Sequence, residues 1–290
     1  MTQAGGRGRA RRGGAVAVAG ALAVALLAGC GLGLVPGTRP AGPQLRAALR
    51  AWSGFPAAAS PRPLVLAGPA VDDPPAGFPS GAAKLAYLER AVRFPARLPH
   101  GPTAARGFRL ISARQAVTAF RAGAAAGPLA GTSLRVTTVR LATALFLTDR
   151  GMRRLPAWLF GFAGIRGRAA VLAVTPAQIF TPPIQRGQRP PFVTSAALNA
   201  SGRELTVEFT GAAPGHGPCT AAYSMQVALS ATAVAVAVRE HRHGSGNAAC
   251  LLIGYPRHVT ATLPVPLGAR VLVDAASRTA IPVTATAPAS

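Results

Sequence analysis

The chain has 290 residues, of which 50% are hydrophobic and 13% charged, and its 31 lysine and arginine residues far outnumber its 8 acidic residues. A chain of this length can bury a substantial core, and we expect two modest domains rather than one. The 27 prolines and 33 glycines follow no short period, which excludes collagen-like and repeat architectures.

Residues 1–30 have the parts of a bacterial signal peptide. A segment with four arginines precedes an uncharged apolar stretch over 15–28, which is shorter than the roughly 20 residues that a spanning helix needs. The closing tetrapeptide 27–30, Leu-Ala-Gly-Cys, resembles the lipobox of bacterial lipoproteins, whose cysteine is diacylated and becomes the new N-terminus. We therefore expect a signal peptide over 1–29 and a diacylglyceryl anchor on Cys30 at the outer face of the cytoplasmic membrane. An uncleaved anchor and cleavage without lipid are the alternatives.

The basic charge predicts the kind of partner. Cleavage before Cys30 would leave 27 basic and 8 acidic residues, a net charge of +19. A surface this positive attracts anionic lipid headgroups or wall polymers, which are the expected partners beside the membrane itself. We expect no nucleic-acid partner because an exported protein rarely meets nucleic acid, and the sequence identifies no protein partner.

Residues 30–43 are rich in Gly and Pro and are predicted to form a flexible tether, followed by an α+β domain over 44–174. The first helix of that domain is predicted from Leu45, Leu49 and Trp52, which recur at helical spacing. We expect its apolar face to pack on the body of the protein; a position on the membrane near the anchor is the alternative.

Two further helices are predicted in this domain from apolar spacing and capping residues. The second is expected to start near Ser80 and to end before Pro95, with an apolar face formed by Leu85, Leu88 and Val92. The third is expected to begin with Ser112 and Gln115, the spacing of a capping box, in which each side chain bonds an otherwise unpaired backbone N–H. Its apolar face is predicted to contain Val117 and Phe120.

A long strand is predicted over 134–147, where the apolar period changes to two, with a turn at 149–151. Its expected partner strands are 155–162 and 169–174. The first partner is apolar on both faces, with Trp158, Phe160 and Phe162 on one and Leu155, Ala157 and Leu159 on the other. This pattern predicts a buried strand, with a ligand or membrane-contact surface as the alternative.

The proline-rich segment 175–192 is the predicted linker, and 193–290 is predicted to be a small all-β, sandwich-like domain. Its expected strands are 204–210, 223–229, 232–238, 259–265, 270–274 and 281–286. The first of these alternates most clearly, with Leu205, Val207 and Phe209 on its apolar face. The predicted fold class is therefore an α+β N-terminal domain followed by an all-β C-terminal domain.

Five cysteine and histidine residues of the C-terminal domain are candidate site residues. Cys219 and Cys250 remain after lipidation of Cys30, and an oxidising compartment predicts that they form a disulfide; a metal site or reactive thiol is the alternative. His241 and His243 are two residues apart, and the disulfide would bring His216 near them. Three imidazoles can hold zinc or copper, with solvated loop histidines as the other interpretation.

No catalytic or cofactor motif is found in the sequence. It contains no nucleophile elbow, phosphate loop, dinucleotide fingerprint or metalloprotease helix. Glu204 and Glu208 would lie about 13 Å apart along a strand, too far for a glycosidase pair. We expect no cofactor and no catalytic residues, and therefore a binding or scaffolding function. An envelope hydrolase, whose triad could be assembled in space, and a copper- or zinc-binding protein are the alternatives.

Two parts of the chain resemble elements of uncharacterised envelope lipoproteins of actinobacteria. The first consists of Thr148–Gly151 with Leu155–Phe160, and the second of Cys219–Cys250 with Gly254–Pro256 after it. The preference for Arg over Lys, with abundant Ala, Gly and Pro, is typical of the same high-GC organisms. The resemblance implies a lipid-anchored, extracytoplasmic location and no particular activity.

Overall fold

The structure, a computed structural model, describes residues 42–74, 76–124, 133–183, 191–244, 249–251 and 253–285, and it is mainly β. Its helices are α1 (Pro43–Ala51), α2 (Gly81–Leu88) and α3 (Ala113–Ala122), with a 3₁₀ turn at Pro176–Gln178. Its strands are β1 (Val71–Asp72), β2 (Val92–Arg93), β3 (Ala104–Ala105), β4 (Phe108–Arg109), β5 (Leu134–Thr148), β6 (Gly151–Phe162), β7 (Arg168–Leu172), β8 (Val193–Leu198), β9 (Glu204–Gly211), β10 (Ala221–Leu229), β11 (Ala233–Arg242), β12 (Tyr255–Thr262), β13 (Val271–Asp274) and β14 (Val283–Ala285). None of the helices in the described ranges is long and apolar enough to cross a membrane.

Helix α3 begins at the capping box predicted from the sequence. The Ser112 hydroxyl accepts a hydrogen bond from the Gln115 backbone N–H at 3.3 Å, and the Ser112 N–H donates to Gln115 Oε1 at 2.8 Å. Val117 and Phe120 are buried, as expected. The capping box therefore sets where the helix begins, and the apolar face sets how it packs.

Helix α2 is shorter than predicted, and its predicted apolar face is wrong. Leu85 and Leu88 are exposed, while Ala86 and Tyr87 are buried. The helix ends early because Arg90 adopts a left-handed conformation, with φ of 56°, and the Ala91 N–H bonds the Ala86 carbonyl across a helix-ending turn. Glycine is usual at such a position, so the arginine gave no sign of the end.

The first half of the described chain is built on a five-stranded sheet with the order β1-β7-β6-β5-β2. Trp158, Phe160 and Phe162 of β6 pack with residues of α2 and α3 on one face, and Leu155 and Ala157 pack in a second cluster on the other. All five side chains are buried. The prediction that both faces of this strand lie in the core is therefore confirmed.

The C-terminal part of the chain is β-rich and contains two sheets. One sheet has the order β10-β11-β13 and the other β12-β9-β8-β14. Leu205, Val207 and Phe209 of β9 face Val234 and Val236 of β11 in a common core, which confirms the predicted inward face of β9. Strand β8 was not predicted, since it follows a proline-rich segment and has few large apolar residues.

Helix α1 packs on the outer face of the β10-β11-β13 sheet. Leu45, Leu49 and Trp52 are buried there against alanines and valines of that sheet, so the prediction that this helix packs on the body is confirmed. The Trp52 indole N–H also donates to the Arg278 carbonyl at 2.8 Å. A helix near the start of the described chain therefore covers a sheet formed near its end. Beyond residue 174, Phe180 packs against Trp52, so the first part of the segment 175–192 is in contact with this same cluster.

A buried ion cluster joins the β5–β6 turn to the C-terminal strands. The Asp149 carboxylate is 2% exposed and pairs with Arg62 and Arg150. Arg150 also donates to the Gly268 and Arg270 carbonyls, both at 2.8 Å. Burial lowers the pKa of the Arg150 guanidinium, and the Asp149 charge partly offsets this. The turn that the sequence predicts at 149–151 is therefore a contact between the two halves of the fold.

Candidate functional site

The structure contains the predicted disulfide between Cys219 and Cys250, whose Cα atoms lie 5.5 Å apart. The loop-closure argument for its 31-residue separation gives a stabilisation of roughly 3.5 to 4 kcal/mol. The bond connects the loop before β10 to the segment before β12 and so ties both sheets together at one end. Cys30, the predicted lipidation site, lies outside the described residues.

We call this end of the sandwich the disulfide end. It is formed where β9 and β11 finish and β10 and β12 start, since Ala221 pairs with Arg242 and Gly211 pairs with Tyr255. Its described residues are 211–224, 239–244, 249–251 and 253–256. The pairing register therefore brings four chain segments to one surface.

Apolar side chains are exposed at the disulfide end. Leu251 is 83% exposed, Ile253 53% and Tyr255 40%, and the first is the most exposed of the large hydrophobic residues described. They occupy alternate positions after Cys250. In an extended segment alternate side chains point to the same side, so the three form a row.

Basic side chains lie beside this row. Arg239 and Arg242 end strand β11 and are both exposed. Arg242 is paired with Glu240 at 2.6 Å, and Glu240 is the one acidic residue in the four segments. Arg46 and Arg50 on helix α1 are exposed too, on the side of the helix away from its buried face. The disulfide end and the adjoining helix are therefore basic.

The described chain enters the body next to this surface. A Cβ atom placed on Gly42 would lie 3.8 Å from Arg239 Nη2. Gly42 also accepts the first hydrogen bond of helix α1, from the Arg46 N–H at 3.1 Å. The point where the predicted tether meets the body is thus within contact distance of an arginine of β11.

The three predicted metal ligands are divided between two contacts. The rings of His216 and His243 lie with their centroids 5.4 Å apart, edge to face. His241 instead has its Nε2 atom 2.7 Å from the Ser224 hydroxyl oxygen. Within the described ranges no three His, Cys, Asp or Glu side chains are grouped closely enough to hold a metal ion. The structure brings two of the predicted ligands together and gives the third another partner.

The Ser224–His241 contact was not predicted from the sequence. It depends on β11 continuing to Arg242, whereas the sequence predicted that this strand ends at Val238. A serine hydrogen-bonded to an imidazole can act as a nucleophile and base when an acidic group orients the ring. None of the ion pairs in the described part of the chain includes His241, so this orienting group is missing from the contact as it stands.

A cavity of about 500 Å³ lies at the start of helix α2. It is lined by Asp73 and Lys84, which have opposite charges, and by Phe78. The buried Tyr87 lies behind it, with its ring 4.9 Å from that of Phe78. Burial raises the pKa of the Tyr87 hydroxyl, and the negative charge of Asp73 raises it further. The hydroxyl has no hydrogen-bond partner, so Asp73 acts on it through its charge rather than through a formed bond. Because its two charges are of opposite sign, the cavity favours neither anionic nor cationic ligands.

Comparison with known proteins returned no relative. No protein-family model matches the chain, and no significant match was found among the curated proteins or the solved structures.

Proposed function

We propose that this chain is a lipid-anchored, extracytoplasmic protein of the bacterial envelope, which binds or organises an anionic component at the outer face of the cytoplasmic membrane without catalysis. The observation that carries the proposal is the pairing of Cys219 with Cys250 in a chain whose arginine-led apolar leader ends at Cys30. Disulfides persist in oxidising compartments, and the leader accounts for how the chain reaches one. The net positive charge supports an anionic partner.

We further propose that the body consists of an α+β domain over 44–174 and a sandwich-like domain over 193–290. The separate hydrophobic clusters of the five-stranded sheet and of the C-terminal sheets support this division. Helix α1 and the Asp149 cluster then hold the two domains in contact, as a scaffold needs.

The anchor is tested by labelling cells that express the protein with radioactive palmitate. We expect label on the wild-type chain, none on Cys30→Ala, and loss of the mature chain from the membrane fraction in that variant. A Cys219→Ser/Cys250→Ser double variant is the matched control, since it also loses thiols but keeps Cys30. Absence of label from the wild-type chain, together with unchanged membrane retention of Cys30→Ala, would show the proposal to be wrong.

An envelope hydrolase is the second candidate, and the Ser224–His241 contact at 2.7 Å is the observation that favours it. A fluorophosphonate probe distinguishes the two candidates, because it reacts covalently with activated serines. The non-catalytic proposal predicts no labelling of the folded protein. Labelling that disappears in Ser224→Ala and persists in Ser195→Ala, whose hydroxyl bonds Glu208 at 2.6 Å instead, would favour the hydrolase.

A further inference from the structure

We propose that the disulfide end of the sandwich is a docking surface for a bilayer that contains anionic phospholipid. This inference rests on the proposed lipid anchor and names the partner of the body that the anchor holds. In the docked state the apolar row Leu251, Ile253 and Tyr255 enters the interfacial region of the bilayer. Arg239, Arg242 and the arginines of helix α1 lie against lipid phosphates.

The apolar row is the first argument. Exposed apolar side chains that occur singly are normal on protein surfaces, but a contiguous row with an 83% exposed leucine indicates an interaction site. The row follows Cys250 directly, so its start is fixed to the sandwich through Cys219. An aliphatic row ending in a tyrosine suits a membrane interface, where the ring is apolar and the hydroxyl can remain hydrated.

The distribution of charge is the second argument. Arg239, Arg46 and Arg50 are exposed close to the row, and Glu240 is the one acidic residue that offsets them at this end. Basic residues next to exposed apolar residues form the combination that binds anionic bilayers, because electrostatic attraction and apolar insertion add to one another. A hydrated wall polymer would use the arginines but would leave the leucine and isoleucine in water. The bilayer is therefore the partner that the surface fits.

The position of the tether is the third argument. Twelve peptide steps separate Cys30 from Gly42, and a chain of that length spans at most about 40 Å and on average about 20 Å when flexible. Gly42 lies against Arg239 at the border of the docking surface. An acyl chain on Cys30 therefore holds this end of the sandwich within reach of the headgroups, and the local concentration that results favours docking.

The test uses the acylated mature protein in vesicles of phosphatidylglycerol and phosphatidylcholine, with tryptophan as a depth probe. The native Trp52 and Trp158 are both buried and give a constant background. We expect the fluorescence of Leu251→Trp to shift to shorter wavelength and to be quenched by bromine-labelled acyl chains. Val265→Trp is the matched control, since Val265 is 46% exposed and follows the opposite end of β12. We expect it to remain unquenched.

The charge requirement is tested in the Leu251→Trp background. Arg239→Glu/Arg242→Glu is expected to reduce quenching at least several-fold, as are high salt and vesicles of phosphatidylcholine alone. Arg166→Glu/Arg168→Glu makes the same change of charge at exposed residues before β7 and is expected to leave quenching unchanged. Ile253→Trp repeats the measurement should Leu251→Trp fail to fold.

Three outcomes would overturn the docking surface. They are equal quenching of the Leu251→Trp and Val265→Trp proteins, quenching that does not depend on anionic lipid, and no quenching combined with charge-dependent co-sedimentation with isolated wall polymer. Palmitate labelling of Cys30 alongside any of these leaves the anchor in place and rejects only the docking surface. Absence of palmitate rejects the anchor itself, so the two failures are distinguishable.

Discussion

The Arg62 guanidinium donates two hydrogen bonds to the Asp149 carboxylate, although the two residues are 87 positions apart. The same guanidinium donates from Nε to the Ala269 carbonyl at 3.0 Å, in the connection between β12 and β13. The Asp149 backbone carbonyl accepts a bond from the Val283 N–H at 3.2 Å. One residue of a hairpin turn thus connects the five-stranded sheet to two separate parts of the C-terminal sheets. If the protein is a scaffold, this contact fixes the relative position of the parts that it holds.

We predict that Asp149→Asn lowers the free energy of unfolding by about 3 to 5 kcal/mol, because removal of one partner leaves partly buried guanidinium groups without their counter-charge. Urea denaturation followed by circular dichroism measures the change. Glu240→Gln is the control. Its pair with Arg242 is exposed, with the arginine side chain 79% accessible, and exposed pairs contribute less than about 1 kcal/mol. Equal losses in both variants would contradict a structural role for the buried cluster.

A second prediction concerns Gly151, which follows Arg150 and has a φ of +74°. A Cβ at this position would lie 3.3 Å from the Thr284 Cγ2 atom, so Gly151→Ala strains the backbone and also crowds strand β14. Gly164 has nearly the same φ, +72°, and nothing within 4 Å of its Cβ position. We expect Gly164→Ala to cost about 1 kcal/mol of unfolding free energy and Gly151→Ala to cost more. A thermal melt of both variants isolates the contact from the backbone strain.

The parts of the fold that were predictable depend on local signals. The capping box of Ser112 and the alternation along β5 and β6 are each contained in a short stretch of sequence, and the structure has both elements. The end of α2 was missed because an arginine occupies the left-handed position that glycine usually signals. In that case the surrounding structure overrode a residue preference.

The candidate docking surface could not be predicted, for a different reason. It depends on the extension of β11 to Arg242, on the pairing of β9 with β12, and on the packing of α1 against strands far along the chain. These are choices of register and tertiary contact, which short-range patterns do not encode. The sequence did predict the Cys219–Cys250 pair, because the number of cysteines and the expected compartment left one pairing.

The Tyr87 hydroxyl carries the prediction on pH. Its pKa is raised in the folded protein by burial and by Asp73, so folding favours the protonated form. The resulting stability is fully present below the ordinary tyrosine pKa of about 10 and is lost as the pH rises above it. We expect Tyr87→Phe to lessen the alkaline loss of stability and to remove the phenolate absorbance that appears last in a titration.

The same variant is expected to keep its stability at neutral pH or to gain up to about 1 kcal/mol, because the buried hydroxyl that it removes has no hydrogen bond. Tyr223→Phe is the matched control. Its hydroxyl accepts a bond from the Ala212 N–H at 2.7 Å, and we expect its loss to cost about 1 kcal/mol. A destabilised Tyr87→Phe protein beside an unaffected Tyr223→Phe protein would reverse this assignment.

The disulfide prediction separates global stability from the order of one surface. Cys219→Ser/Cys250→Ser is expected to lower the free energy of unfolding by up to roughly 3.5 to 4 kcal/mol through loop closure. The edge-to-face contact of His216 and His243 lies beside the bond, so the loss of order is expected to concentrate at the disulfide end. Hydrogen exchange should therefore accelerate in 212–220 and 249–256 while the core strand β6, which is buried on both faces, stays protected. Acceleration of the same size in β6 would mean that the bond stabilises the whole unit and leaves no separate role for it at the docking surface.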